Sequence, residues 1–210
     1  MTPPVRSTYR HGDLRRALLE AGIELARKGG PEAVVLREAT RRAGVAPNAA
    51  YRHFASREAL LQAVRAASLQ AVAAAMEAEL ATLPRKLSAA DLARASVRAV
   101  GTGYLRFAQT ETGLFRTAFA ASDKMLQGTA ELSTAGPGGL NPFELLGAAL
   151  DKLVAAGLLP PKRRPGAEFL AWSAVHGLAM LVIDGPLRNV LGPQMQQVGQ
   201  RLLDMVEKGL

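Results

Sequence analysis

The sequence predicts an all-α fold, and three observations predict it. Alanine and leucine dominate while β-branched runs are scarce, a balance that favours helix over strand. Apolar residues recur at three- and four-residue spacing through most of the chain, the period of a buried helix face. Turn-forming glycine and proline punctuate these periodic stretches, as at Gly29-Gly30-Pro31, Pro84 and Pro160-Pro161. About nine helices result. Three short ones over residues 10–56 make an N-terminal head, and a larger helical body follows over 57–210.

In order, residues 1–9 read as a disordered arm in which Arg6 and Arg10 could meet phosphate. Leu14, Ala17, Leu18, Ala21 and Leu25 give the first helix, about 12–28, an apolar face, and Gly29-Gly30 stops it. The second helix, about 34–43, buries Leu36, Ala39 and Ala43 and carries Arg37, Arg41 and Arg42 on its other side. Gly44 turns the chain because it accepts positive φ without a Cβ clash. The third helix is expected over about 47–54. At 100° per residue Ala50 and Phe54 point inward, beside Pro47. Asn48, Ala49 and Arg52 point outward, with Tyr51 and His53 on the edges.

Ser56 is a good N-cap for a long alanine-rich helix to about Leu80, which belongs partly to the head and partly to the body. A further helix runs from about Ser88 to Phe107. Its Gly101-Thr102-Gly103 reads as close helix packing, because a phosphate loop would need more glycines and a preceding strand. A short helix over about 113–121 aligns Phe115 and Phe119. Residues 122–140 are Gly/Ser/Thr-rich and read as a mobile loop. Asn141 caps the next helix, and Lys162-Arg163-Arg164 reads as a solvated loop. The helix over about 166–183 is apolar all round. One face holds Phe169, Trp172, His176, Met180 and Ile183, the other Leu170, Ala174, Leu178 and Leu181. Such a helix must be covered on both sides, by its own core and by a partner. The last helix, about 193–207, spaces Met195, Val198, Leu202 and Met205 as a pairing seam.

Charge narrows the function. Residues 1–65 hold twelve Lys/Arg against six Asp/Glu, a net of +6, and the remainder nets only +2. A basic N-terminal third is the footprint of a polyanion-binding module, with a solvated basic surface as the rival reading. Residues 35–54 decide between them, as a helix-turn-helix whose second helix would enter a DNA major groove. Asn48 can bond an adenine edge and Arg52 a guanine edge, while Tyr51 and His53 suit flanking phosphates. No cysteine and three scattered histidines argue against a disulfide framework or a metal site, and no cofactor is implied. The N-terminus lacks an apolar signal core. The apolar run 169–183 is short for a membrane span, so a cytoplasmic protein with no membrane partner is expected.

Gly30, Arg37, Ala43-Gly44-Val45, Tyr51-Arg52-His53-Phe54, Arg57-Glu58 and Leu60-Leu61 together resemble the DNA-binding domain of TetR/AcrR-family transcriptional regulators. HGDLR at 11–15 and WSAVHG at 172–177 resemble the subgroup with a WHG-type C-terminal domain. The resemblance implies that Arg57 contacts phosphate and that the last two helices of each subunit build a four-helix dimer interface. It also implies a small-molecule effector bound in the body. Tyr104, Phe107, Phe115, Phe119, Trp172, His176 and Met180 are candidate pocket residues. Three departures stand out. Ala46 and Val35 replace the Ser or Thr usual at those positions, and Asn48-Ala49 replaces a smaller pair.

The reading is therefore a ligand-responsive homodimeric repressor on a near-palindromic operator. Two rivals are an architectural protein that coats DNA nonspecifically and a small helical enzyme. Asn48 speaks against the first, because a purely electrostatic binder needs no base reader. Against the second, His176 lacks an evident nucleophile beside it and the sequence lacks a phosphate loop.

Overall fold

The computed structural model describes residues 11–120 and 133–210, leaving out the side chains of residues 11–13 and 47. Among the described residues the chain forms nine α-helices and no strand. The proposed N-terminal arm and most of the proposed 122–140 loop lie outside the described residues.

The head comprises α1 (His11–Gly29), α2 (Leu36–Arg42) and α3 (Pro47–Ala50), with a 3-10 turn at Pro31–Ala33 after α1. Leu18, Leu25, Val34, Leu36, Ala39, Ala50 and Phe54 close its core. Gly44 adopts φ +67° in the turn, as its position required, and Val45 packs half-buried against the core. The third helix is shorter than its apolar spacing suggested. It stops at Ala50 and the chain turns through 51–53. Ala46 is extended and offers no side-chain cap, so nothing but backbone starts this helix.

The body is built around α4 (Arg57–Ala81) and α5 (Ala89–Thr110). Ser56 caps α4 by accepting from the Ala59 amide at 3.1 Å. The helix starts against α1 and continues past it, so it is continuous between head and body. Gly22 of α1 allows this approach, since a Cβ there would lie 2.7 Å from Val64. In α5, the close-packing reading of Gly101 and Gly103 holds. A Cβ on Gly103 would meet the Ala75 carbonyl at 2.6 Å, and one on Gly101 would overlap Leu203.

Four helices complete the body: α6 (Thr112–Phe119), α7 (Pro142–Ala155), α8 (Ala167–Ile183) and α9 (Met195–Gly209). Asn141 and Glu144 form a capping box on α7. Residues 133–140 are fastened to α4 rather than loose. The Gly138 amide donates to the Glu77 carboxylate at 3.0 Å, and Gln70 donates to the Ser133 carbonyl at 3.0 Å. Nor is the basic loop merely solvated. Arg164 reaches Asp151 at 2.7 Å and Glu168 at 2.6 Å and ties α7 to α8, while Arg163 donates to the Gly209 carbonyl at 2.7 Å.

The two faces assigned to α8 need correction. Its core stripe is Ala167, Ala171, Val175, Leu178, Ala179 and Ile183, so Leu178 belongs to its own subunit's core rather than to a partner-facing side. Phe169, from the opposite group, is exposed. In α9 the inward residues are Met195, Gly199, Leu203 and Val206. Met195 is thus core as well, while Val198 and Leu202 are half-buried and Met205 is exposed.

Candidate nucleic-acid interface and effector cavity

The surface of the head is built by what it buries. Because Ala50 and Phe54 are sunk into the core, Asn48, Tyr51 and Arg52 are left exposed, and Ala49 and His53 are half-buried. The Arg15 guanidinium lies 5.2 Å from the centre of the Phe54 ring, a cation–π contact that pins the end of the helix-turn-helix to α1. Tyr51 is more exposed than an edge position suggests because the chain has left the helix there.

The arginines of the head divide into two sets. Arg37 and Arg52 are exposed and have no ion-pair partner among the described residues. Arg41 and Arg42 are held by Glu38 at 2.7 and 3.2 Å. Hydrogen bonds from Arg41 and then Arg42 draw the Glu38 carboxyl down to about 2. Arg57, expected on phosphate, is exposed and has a structural task within the head as well. Its guanidinium donates to the carbonyls of Val34 and Pro31, both at 2.8 Å, and so braces the loop leading into α2.

In the body, α4, α5, α6, α7 and α8 surround a cavity of about 430 Å³, within the range of drug-sized ligand sites. Of the seven candidate pocket residues, Tyr104, Phe119 and Trp172 line it. Phe107, Phe115, His176 and Met180 do not. Phe115 is fully buried edge-on against Tyr104, with ring centres 5.2 Å apart. His176 is half-buried and supports Tyr104 through a 2.7 Å bond between Nδ1 and the phenol oxygen. Trp172 Nε1 donates to that same oxygen at 3.1 Å. Burial pushes the Tyr104 phenol well above its ordinary value, against an opposing pull from Trp172, so it stays protonated. An indole N–H only donates, so the phenol proton is directed to His176, which must be unprotonated at Nδ1. Burial lowers the His176 value and keeps it neutral.

Helical spacing missed Gln62, Arg65, Phe143 and Leu146, which also line the cavity. One signal was available. Arg65 is a charged residue four positions from both Leu61 and Leu69 on an otherwise apolar stripe, and it is only 8% exposed. It donates from Nε to the Ala118 carbonyl at 3.2 Å.

The cavity wall also reaches the head. Ala118 and Phe119 of α6 line the cavity, while Gly113 at the other end of α6 sits on the Ala26 and Arg27 carbonyls of α1. Arg27 Nε meets Glu111 at 2.9 Å beside that contact, and Arg116 of α6 pairs with Asp184 at the end of α8.

A helix-turn-helix head joined by one continuous helix to a cavity-bearing body defines a helical DNA-binding regulator. Residues 18–64 match the family described as bacterial regulatory proteins, tetR family, and residues 97–206 match the tetracyclin repressor-like C-terminal domain. The chain belongs to the tetR family and is a ligand-responsive DNA-binding transcriptional regulator. No curated protein matches it. Among solved structures it is similar to a protein of unknown function from Rhodococcus sp. RHA1, at 25% identity and TM-score 0.73, over 98% of this chain and 99% of that one. The tetR-family regulator PfmR from Thermus thermophilus aligns over 92% and 98% of the two chains, at 23% identity and TM-score 0.54. A TetR variant from Acinetobacter baumannii, in complex with minocycline, aligns over 91% and 93%, at 19% identity and TM-score 0.55.

Proposed function

We propose that the chain is a cytoplasmic homodimeric repressor that leaves a near-palindromic operator when a small molecule occupies the body cavity. The observation that carries this reading is the continuity from cavity to head through α4 and α6. A ligand that moves Ala118 and Phe119 moves a helix whose other end bears on the α1 carbonyls. The ligand must bind the released arrangement better than the DNA-bound one for the equilibrium to shift. In the head, Asn48 and Arg52 read bases, while Arg37, Tyr51 and His53 hold phosphate, with Ala49 leaving room for the groove. Arg57 takes a positioning role instead. Two heads would enter major grooves about one helical turn apart.

The dimer is proposed through α8 and α9, using Leu170, Ala174, Leu181, Val198, Leu202 and Met205. Leu170, Leu181 and Met205 are large apolar side chains left exposed in the single chain, which supports this choice. The WHG-type subgroup is supported by Trp172 and His176 meeting on Tyr104. That same arrangement favours a structural rather than a catalytic role for His176.

The test is binding to DNA flanking the protein's own gene, measured across salt against random DNA. Specific binding should exceed random by at least about 10³-fold. Equal affinity for the two would leave only an architectural role. Asn48→Ala should relax preference at one operator position, whereas Tyr51→Phe should weaken binding to all sequences alike.

A further inference from the structure

We propose that the effector is an apolar, ring-bearing molecule that presents a hydrogen-bond donor, a hydroxyl or an N–H, to the Tyr104 oxygen. The inference rests on the ligand-responsive reading of the cavity and adds the chemical class of the ligand. Tyr104 lines the cavity. Its hydroxyl stands between a partner that also lines it, Trp172, and one that does not, His176. The wall beside it sets the body of the ligand. Tyr104 and Phe119 lie 5.6 Å apart between ring centres, Phe119 and Trp172 6.1 Å, and Trp172 and Phe143 6.3 Å. All four line the cavity, so rings continue along one wall from the Tyr104 hydroxyl. Aromatic pairs gain in tilted and edge-on arrangements beyond what burial alone supplies, which favours a ring in the molecule that lies there.

The polar group follows from the valences of one oxygen. A phenol has one proton to donate and two lone pairs to accept with. The Trp172 N–H can only donate, and it takes one lone pair at 3.1 Å. The phenol proton goes to His176 Nδ1 at 2.7 Å. The opposite arrangement, with Nδ1 donating, would leave that proton without an acceptor among the described residues. One lone pair remains. The indole and phenol donors of this wall are therefore both taken up within the protein, and Tyr104 meets a ligand as an acceptor. A ligand hydroxyl or N–H completes the oxygen. An ether or carbonyl oxygen in the same place sets lone pair against lone pair and loses its water without replacement. Turning the phenol proton toward such a group would strip the half-buried His176 of its donor, a penalty of the same kind. Burial supports the arrangement, since it holds Tyr104 protonated and His176 neutral.

The chain has one tryptophan, and it lines the cavity, so intrinsic fluorescence of the full-length protein reports occupancy. Three probes of one shape, p-butylphenol, p-butylanisole and butylbenzene, should be titrated in parallel. The phenol is expected to bind about 3–10-fold more tightly than butylbenzene, the factor one net hydrogen bond supplies. The anisole should bind no more tightly than butylbenzene. Tyr104→Phe should remove the advantage of the phenol. His176→Leu takes away the acceptor of the Tyr104 proton, so in that variant the anisole should bind more tightly than butylbenzene. A merely structural histidine would weaken all three probes together and leave their order unchanged. Far-UV dichroism checks that each variant folds; if one does not, the wild-type series and the other variant decide the question. Equal binding of phenol and butylbenzene to the wild type, or a preference for the anisole over butylbenzene, overturns the donor class and leaves the cavity as an effector site. A phenol advantage that survives Tyr104→Phe, or an unchanged order in folded His176→Leu, overturns it as well. If none of the three perturbs Trp172, both the donor class and the ligand-responsive reading of this cavity fall.

Discussion

Arg57 donates to the Val34 carbonyl at 2.8 Å, so the first residue of α4 holds the strand of chain that leads into the helix-turn-helix. A second bond, to Pro31, fixes the preceding turn as well. A guanidinium occupied in this way orients the reading head. Arg57→Ala should lower stability by about 1 kcal/mol through the lost bonds. It should also weaken operator binding while leaving the salt dependence unchanged. Loss of one phosphate contact would instead reduce the log–log salt slope by about 0.9. Titrations at several salt concentrations separate the two roles.

Glu38 restrains the neighbouring arginines. Its carboxylate holds Arg41 and Arg42 on the surface of α2, leaving Arg37 as the arginine of that helix without an ion pair among the described residues. Glu38→Gln should raise DNA affinity and steepen the salt slope by about one to two as both arginines become available to phosphate. The pH effect has a definite sign. The folded value of about 2 lies below the ordinary 4.5, so the stabilisation is present above 4.5 and is lost as pH falls toward 2. Glu38→Gln should remove that part of the acid transition.

His176 titrates in a milder range. Its folded value lies below the ordinary 6.5, because burial disfavours the imidazolium, and Tyr104 needs Nδ1 as an acceptor. The unfolded chain therefore takes up the proton first. Stability from this group is complete above pH 6.5 and declines as pH falls below it. His176→Gln keeps an acceptor and removes the titration, so the fall in Tm between pH 7 and 5 should flatten.

The helix-turn-helix was legible because its signals are local. Gly44 needed positive φ, Ser56 needed to cap, and Ala50 and Phe54 stood at one helical spacing. The end of α3 was not legible, because Phe54 is buried whether the chain reaches it by helix or by turn. In α8 almost every residue is apolar, so periodicity does not say which stripe meets the core, and Leu178, expected on the partner side, turns inward. The cavity was half legible. Aromatic residues announced Tyr104, Phe119 and Trp172, whereas Arg65 depended on which neighbours α6 would bring against α4.

Gly113 offers a test of the link between cavity and head. A Cβ there would overlap the backbone carbonyls of Ala26 and Arg27, which cannot swing aside as a side chain can. Gly113→Ala should cost about 1–3 kcal/mol and force α6 away from α1. Operator affinity should fall while ligand-induced quenching of Trp172 persists. Unchanged operator affinity in a folded Gly113→Ala protein would break the proposed path through α6.

The faces of α8 and α9 predict opposite outcomes for neighbouring residues. Leu181 is 44% exposed and Met205 60% exposed, so each can accept a charge in a single chain at little cost. Leu178 is 9% exposed and Met195 6%, and a carboxylate at either would be buried without a partner. Leu181→Glu and Met205→Glu together should therefore give a folded monomer in sedimentation, with near-wild-type helicity and greatly weakened operator binding. Leu178→Glu should instead lose helicity and Tm. A Leu181→Glu/Met205→Glu protein that sediments as a dimer would move the interface off these two helices. A monomeric wild type would remove the dimer from the mechanism.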